Sequence, residues 1–307
     1  MKIGIIGAGA MGSLYGGKLA QAGVEVLLYD ISRTHVEALN AAGLAIEELG
    51  TGKIATVPVR ATLAPTDLAD ADVLIVFVKS SATAAAAGQF AGIAKPGAIA
   101  VTLQNGLGNE RILREAFGAG RTAAGVTSQG ATFLGPGRIR HAGAGPTHLS
   151  MDDNRKLAPL AEALGKAGFE THLEKSIDSL VWSKLVINVG INALTALTGL
   201  PNGRLLEFPQ LKAVMADLVA EAVAVAKARG VTLSYAEPLA MVYTVADKTA
   251  GNRSSMLQDF DRRQPSEIDF INGAIVREAE ALGIAVPVNR AVTRLVQALD
   301  AVHAEAR

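Results

Sequence analysis

Near the N-terminus an apolar run, KIGIIG, passes straight into Gly7-Ala8-Gly9-Ala10-Met11-Gly12 and then into a helical pattern, MGSLYGGKLAQAG. A G-x-G-x-x-G turn that follows a strand and opens a helix admits few architectures. The glycines allow a tight turn, a close backbone approach to a pyrophosphate, and close packing of helix on strand. The helix start then offers free N–H groups and the positive end of a dipole to phosphates. The next apolar run, VEVLLYD, ends in Asp30 about twenty residues on, where a carboxylate can accept from the hydroxyls of an adenosine ribose. A glycine turn of purely structural use is the competing reading, and the context of the hexapeptide weighs against it.

Strands and helices go on alternating. VLIVFVK at 73–79 is followed by a helix near 82–93, AIAVTLQNG at 98–106 by a helix near 108–117, and a strand lies near 121–127. This alternation predicts a parallel sheet covered on both faces. Ligands of such sheets bind beyond the C-terminal strand ends, where Lys79 and Asn105 fall. Lys79 reads as a contact to a cofactor phosphate or ribose, or as a solvated loop lysine. Asn105 reads as a cofactor or substrate contact, or as a turn residue. Residues 129–150 are rich in Gly and Pro and predict a hairpin and loop closing the far side of the sheet, before a helix near 153–167 and a strand near 169–174. Beyond about 176 strand signals stop, and helical patterns fill 177–198, 205–229, 235–249, 265–282 and 288–304. The expectation is an α/β fold of two domains. Residues 1–175 form a doubly wound, mostly parallel sheet, and residues 176–307 form an all-helical domain.

The stretch 179–199, SLVWSKLVINVGINALTALTG, carries the densest signal of the second half. Lys184, Asn188 and Asn192 recur at intervals of four and share one helical stripe. Apolar residues surround that stripe, so the helix is expected to be buried and its polar groups to need partners. Either they are satisfied core residues or they line a cleft. Asn202 follows Pro201 in a break. Asn252 opens NRSSMLQD, where Ser254 or Ser255 reads as a helix cap. Glu267 precedes an amphipathic pattern and reads alone as a first-turn acid. Lys+Arg and Asp+Glu balance at 29 each, and no basic run exists, which argues against nucleic acid as a partner. No cysteine is present, which excludes disulfides and thiolate chemistry and fits a cytoplasmic protein. No uninterrupted apolar run reaches the roughly 18 residues of a membrane span. The five histidines lack ligand spacing, so no metal is expected.

These pieces together resemble the ketopantoate reductases (2-dehydropantoate 2-reductases). GAGAMG, the strand-end Lys79, LQNG at 103–106, SKLVINVGIN, PNG at 201–203, NRSSMLQD at 252–259 and SEIDFING from 266 occur in that order across nearly the whole chain. The resemblance implies an N-terminal Rossmann domain, a helical C-terminal domain and a site in the cleft between them. It implies that Lys184 is the catalytic lysine and that Glu267 is its carboxylate partner near the cofactor. It implies substrate contacts from Asn105, Asn188, Asn192, Asn202, Asn252 and Ser255. It also implies NADP, although this sequence departs from the pattern at the adenosine end. There Asp30 would repel a 2′-phosphate and favour NAD, and Arg33 is the cation available to offset it.

The expected reaction is hydride transfer from a nicotinamide to the C2 carbonyl of 2-ketopantoate, giving (R)-pantoate. Lys184 would stabilise the developing oxyanion and donate the proton. The expected partners are thus a small 2-keto acid and no nucleic acid or membrane, with a homodimer left open. Two alternatives stand beside this. One is a related reductase of another 2-keto or β-hydroxy acid; the other is a non-catalytic nicotinamide-nucleotide sensor.

Overall fold

A computed structural model describes residues 1–305 of the chain. β1 (Lys2–Ile6) leads through the glycine turn into α1 (Ala10–Gln21), then β2 (Glu25–Tyr29) and α2 (Arg33–Ala42). Three short strands follow, β3 (Leu44–Glu47), β4 (Ile54–Val57) and β5 (Arg60–Thr62). The alternation resumes with β6 (Val73–Val76), α3 (Thr83–Ala91), β7 (Ile99–Thr102), α4 (Asn109–Phe117) and β8 (Thr122–Thr127). Next come β9 (Gly130–Gly135), β10 (Arg138–Gly143), β11 (Thr147–Ser150), α5 (Ala158–Lys166) and β12 (Thr171–Leu173).

The main sheet has the order β12-β11-β8-β7-β6-β1-β2-β5. All its pairings are parallel except β11 with β8. Every residue of β6 and β7 is buried, as are four of the five in β1, which is the mark of strands covered on both faces. Ile3, Ile5, Leu14, Leu19 and Leu28 pack on one side, and Ile6, Leu68, Leu74 and Phe90 on the other. The chain places β2 on one side of β1 and β6 on the other, so its direction of winding reverses at β1.

The region 33–72, for which the sequence offered little, builds part of a second sheet of order β4-β3-β10-β9. The hairpin expected within 129–150 forms from β9 and β10. It does not close the main sheet, as expected, but pairs with β3. Only β11 of that stretch joins the main sheet, beside β8. Alternating burial explains the difference. β10 offers one buried side chain, Ile139, between exposed arginines, so it suits a sheet covered on a single face.

The helical half contains α6 (Asp178–Thr198), α7 (Pro209–Ala228), α8 (Pro238–Lys248), α9 (Ser255–Asp261), α10 (Asn272–Leu282) and α11 (Pro287–Glu305). The helix expected over 265–282 starts only at Asn272, after a 3₁₀ turn at Ile268–Phe270. Val186, Val189 and Leu194 of α6 pack with Met215, Leu218 and Val242 from α7 and α8. By length and composition α6 alone among the described residues would cross a membrane, yet 67% of its apolar window is buried within the protein. It is the core helix of this unit. The chain forms two compact units: residues 1–104 with 109–177, and residues 178–307 joined by the short segment 105–108.

Candidate active site

Each glycine of the N-terminal turn has its own reason. Gly7 has φ +92°, and a Cβ there would come within 2.7 Å of the Val78 backbone nitrogen. A Cβ at Gly12 would lie 1.9 Å from the Gly7 carbonyl oxygen, so the first turn of α1 rests against the loop it follows. Gly9 differs, because a Cβ there would meet nothing within 4 Å. Folding does not require Gly9 to lack a side chain, and the space beside it is open enough for a ligand to approach the backbone closely. Gly9 is the N-cap of α1, followed by Ala10 and Met11, and the first turn carries no acidic residue. The positive end of the helix dipole is therefore uncancelled at that opening. The loop suits a pyrophosphate.

The backbone of Ala8 is held on both sides. Its N–H donates to Asp30 Oδ2 at 2.8 Å, and its carbonyl accepts from Ser13 Oγ at 2.6 Å. Asp30 Oδ1 also accepts from the Ser32 N–H at 2.8 Å. Asp30, at the C-terminal end of β2, is thus a fixed carboxylate with both oxygens on backbone donors. Arg33 opens α2, where its side chain is 74% exposed and lies 3.8 Å from Glu37. Lys79 is exposed and follows β6 on the other side of β1. Because β2, β1 and β6 run parallel, their C-terminal ends bring Asp30, the glycine loop and Lys79 to one edge of the sheet.

In the helical unit the stripe on α6 is real. Lys184 and Asn188 are half-buried, and Asn192 is 6% exposed. Apolar neighbours on almost every side account for the position of the helix, and the stripe is its polar face. Ser254 is the N-cap of α9, its Oγ accepting from the Leu257 N–H at 3.1 Å. The same Oγ shares a 2.6 Å hydrogen bond with Thr195 Oγ1, which donates to the Asn192 carbonyl at 2.8 Å. That chain fixes the start of α9, and with it the half-buried Ser255, against the end of the stripe. Asn202 and Asn252 meet through the backbone, the Asn202 N–H donating to the Asn252 carbonyl at 2.9 Å. Asn252 is exposed, whereas Asn202 is buried and its Oδ1 has no hydrogen-bond partner.

Glu267 is not in the first turn of an α-helix. It is the N-cap of the 3₁₀ turn at Ile268–Phe270 and is 9% exposed. The Phe270 carbonyl accepts from the Leu107 N–H at 2.8 Å. A Cβ at Gly106, φ +85°, would lie 2.3 Å from that same oxygen, so only glycine lets the segment before Leu107 approach this turn. Burial lowers the pKa of Lys184 from 10.5 to about 8, with the charge of Glu267 opposing the drop. The helix around Lys184 is pinned from outside by the loop after α7. There the Ser234 N–H donates to Ser183 Oγ at 2.8 Å and Tyr235 Oη donates to the Ser183 carbonyl at 2.7 Å.

Residues 3–154 match the family described as "Ketopantoate reductase PanE/ApbA", and residues 176–300 match its "Ketopantoate reductase PanE/ApbA C terminal". The chain is a member of the ketopantoate reductase family. A 2-dehydropantoate 2-reductase from Halobacterium salinarum is 39% identical over 97% of this chain and 98% of its own length. One from Pyrococcus horikoshii is 34% identical over 98% of each. Among solved structures, a PanE/ApbA family ketopantoate reductase from Ralstonia eutropha has 37% identity and a TM-score of 0.90 over 99% of both chains. D-mandelate dehydrogenase with NADH and anilino(oxo)acetate has 29% identity and a TM-score of 0.91 over 99% of both. As a ketopantoate reductase, the chain is a nicotinamide-dependent oxidoreductase acting on a small keto acid.

Sequence reasoning missed several residues of this ketopantoate reductase that the structure brings to the same places. Thr195 lies on α6 one turn past Asn192 and had no signal to separate it from a core threonine. Ser183 and Tyr235 are 52 residues apart and meet only through packing. Ser13 and His35 converge on Ala8 from α1 and α2. A small polar residue within MGSLYGG was the one available hint, since the rest of the buried face of α1 is Gly, Leu and Tyr.

Proposed function

We propose that the protein reduces 2-dehydropantoate to (R)-pantoate, with Lys184 as general acid and Glu267 as its carboxylate partner. The observation that carries this reading is the state of Lys184: an ammonium on the polar stripe of a buried helix, with a pKa near 8. At neutral pH such a group still holds its proton, and releases it more readily than an exposed lysine. Placed at a carbonyl oxygen, it stabilises developing negative charge and then supplies the proton. Glu267 keeps the ammonium from losing its charge altogether on burial. The carboxamides of Asn188 and Asn192 both donate and accept, which suits the hydroxyl groups of a polar acid. Asn105, Asn202, Asn252 and Ser255 complete the proposed substrate contacts. The buried Oδ1 of Asn202 has an acceptor to offer a hydroxyl donor.

A reduced nicotinamide supplies a hydride when bound. The residues proposed to hold its dinucleotide are Gly7, Ala8, Gly9, Ala10, Met11 and Gly12 with Asp30 and Lys79. Asp30 favours NADH, because a fixed carboxylate at the end of β2 accepts from ribose hydroxyls and repels a 2′-phosphate. Arg33, exposed and beside Glu37, offers little to reverse this. The reading therefore moves away from the NADP default that the family resemblance suggested.

A second reading has support of its own. The similarity to D-mandelate dehydrogenase with NADH, together with Asp30, favours a reductase of some other 2-keto acid. Initial rates with 2-dehydropantoate and benzoylformate, each with NADH and NADPH, decide between them. The first reading requires 2-dehydropantoate to have the higher kcat/KM. A larger value for benzoylformate transfers the function to the second.

A further inference from the structure

His35 is 2% exposed and was, in the sequence, one of five scattered histidines. Its Nδ1 accepts a 3.0 Å hydrogen bond from the Gly137 N–H, in the turn between β9 and β10. A backbone N–H is always a donor, so Nδ1 carries no proton and the neutral ring bears its hydrogen on Nε2. Burial lowers the pKa of this imidazole, which keeps it neutral. Nε2 then donates to the Ala8 carbonyl at 2.8 Å, beside Ser13 Oγ.

The Ala8–Gly9 peptide is planar and trans, as no cis bond occurs in the described chain. Its carbonyl and its N–H therefore point in opposite directions. Two donors drawing the Ala8 carbonyl inward turn the Gly9 N–H outward, at the one glycine of the loop whose surroundings are open. We propose that His35 is a positioning residue for cofactor binding, holding the Ala8–Gly9 peptide so that the Gly9 N–H faces a pyrophosphate. The second sheet, through Gly137, is then the brace of the phosphate loop. This inference rests on the reading that residues 7–12 bind the dinucleotide.

Two near-isosteric substitutions separate the role from simple packing. His35→Gln places an amide nitrogen where Nε2 was and keeps a donor for the Ala8 carbonyl. His35→Asn keeps an acceptor for Gly137 but reaches nothing at Ala8. The dissociation constant for NADH, measured by fluorescence titration, is expected to rise about tenfold in His35→Asn and less than about threefold in His35→Gln, the scale of one hydrogen bond. The kcat at saturating cofactor and the KM for keto acid should stay within about twofold in both. Equal cofactor affinity in the two variants overturns the proposal. Should His35→Asn fail to fold, Ser13→Ala decides, since it removes the other donor to Ala8. A rise of about threefold or more supports the role and an unchanged constant ends it. Gly9→Val tests the underlying reading separately. If Gly9→Val binds cofactor normally, the loop is not the binding site. If it loses binding while His35→Asn does not, only the positioning role fails.

Discussion

The glycine loop and the stripe on α6, the two proposed binding regions, would meet a polar ligand in opposite ways. The loop works with its backbone: Ala8 and Gly9 have almost no side chains, and the two peptides flanking Ala8 are held by Asp30 on one side and by Ser13 and His35 on the other. The stripe works with side chains on a rigid apolar helix, where the polar atoms bear the cost of burial. A backbone site draws its donors from N–H groups that every residue except proline carries, so a side chain can block such a site but does not take its donors away. A side-chain site stores its chemistry in single groups, so one substitution removes it. The two regions should therefore fail differently when altered.

The largest effect is expected at Lys184. Lys184→Ala should lower kcat by about 10²–10⁴-fold, the usual contribution of a positioned acid. Cofactor affinity should stay within a few-fold in a direct titration. Retention of more than about a tenth of the wild-type kcat would remove Lys184 from the role of acid.

Gly9→Val should produce the converse, with cofactor affinity falling by about a hundredfold or more and the far-ultraviolet circular dichroism unchanged. The open space around Gly9 predicts that the apo fold survives. A folded variant with normal affinity would erase the contrast between the two regions.

The pH dependence sharpens the side-chain half. Lys184 donates only while protonated, so kcat should be level below its pKa of about 8 and fall as pH rises through it. The decline should approach tenfold per pH unit. A rate that stays flat to pH 10 would sever the proton step from this lysine.

The same depression has a sign in stability. The folded pKa lies below the unfolded one, so between about 8 and 10.5 the unfolded chain binds more protons. Stability contributed by this group therefore rises with pH across that window. At pH 7 the ammonium is a burden, and Lys184→Met should stabilise the inactive protein by up to about 3 kcal/mol, the worth of the depression with the attraction of Glu267 already included. Urea unfolding at pH 7 measures it, and a destabilised variant would show that the lysine is held by more than it costs.

The smallest effect is expected at Arg33. Arg33→Ala should change the ratio of kcat/KM for NADPH over NADH by less than about threefold, as suits an exposed side chain. Asp30→Ala is not a clean test of cofactor preference. It leaves the Ala8 N–H without its acceptor and should weaken both cofactors.

The loop was legible because everything it needs is contiguous. Strand, turn and helix follow one another within twenty residues, and Asp30 completes them at a fixed distance along the chain. The stripe was legible as a stripe, since Lys184, Asn188 and Asn192 keep helical spacing. Its partners were not readable from spacing. Glu267 looked like a helix-start acid because SEIDFING runs into an amphipathic pattern, and only the 3₁₀ turn shows that it caps something else. Family resemblance named it, not physics. The second sheet was missed because β3 and β4 are only four residues long, too short for alternation to declare itself. His35 was missed for a similar reason: its partners lie 27 and 102 residues away.

The short segment 105–108 belongs to the helical unit although the chain returns at once, with α4, to the other. Its bond to the Phe270 carbonyl spans some 160 residues of synthesis. A ribosome releases Leu107 long before Phe270 exists, so this bond forms only after most of the chain has been made. A gene cut at 177 would yield a helical fragment lacking the short backbone segment that pairs with Phe270. Exchange of this half between related enzymes should preserve its native turn only when residues 105–108 travel with it.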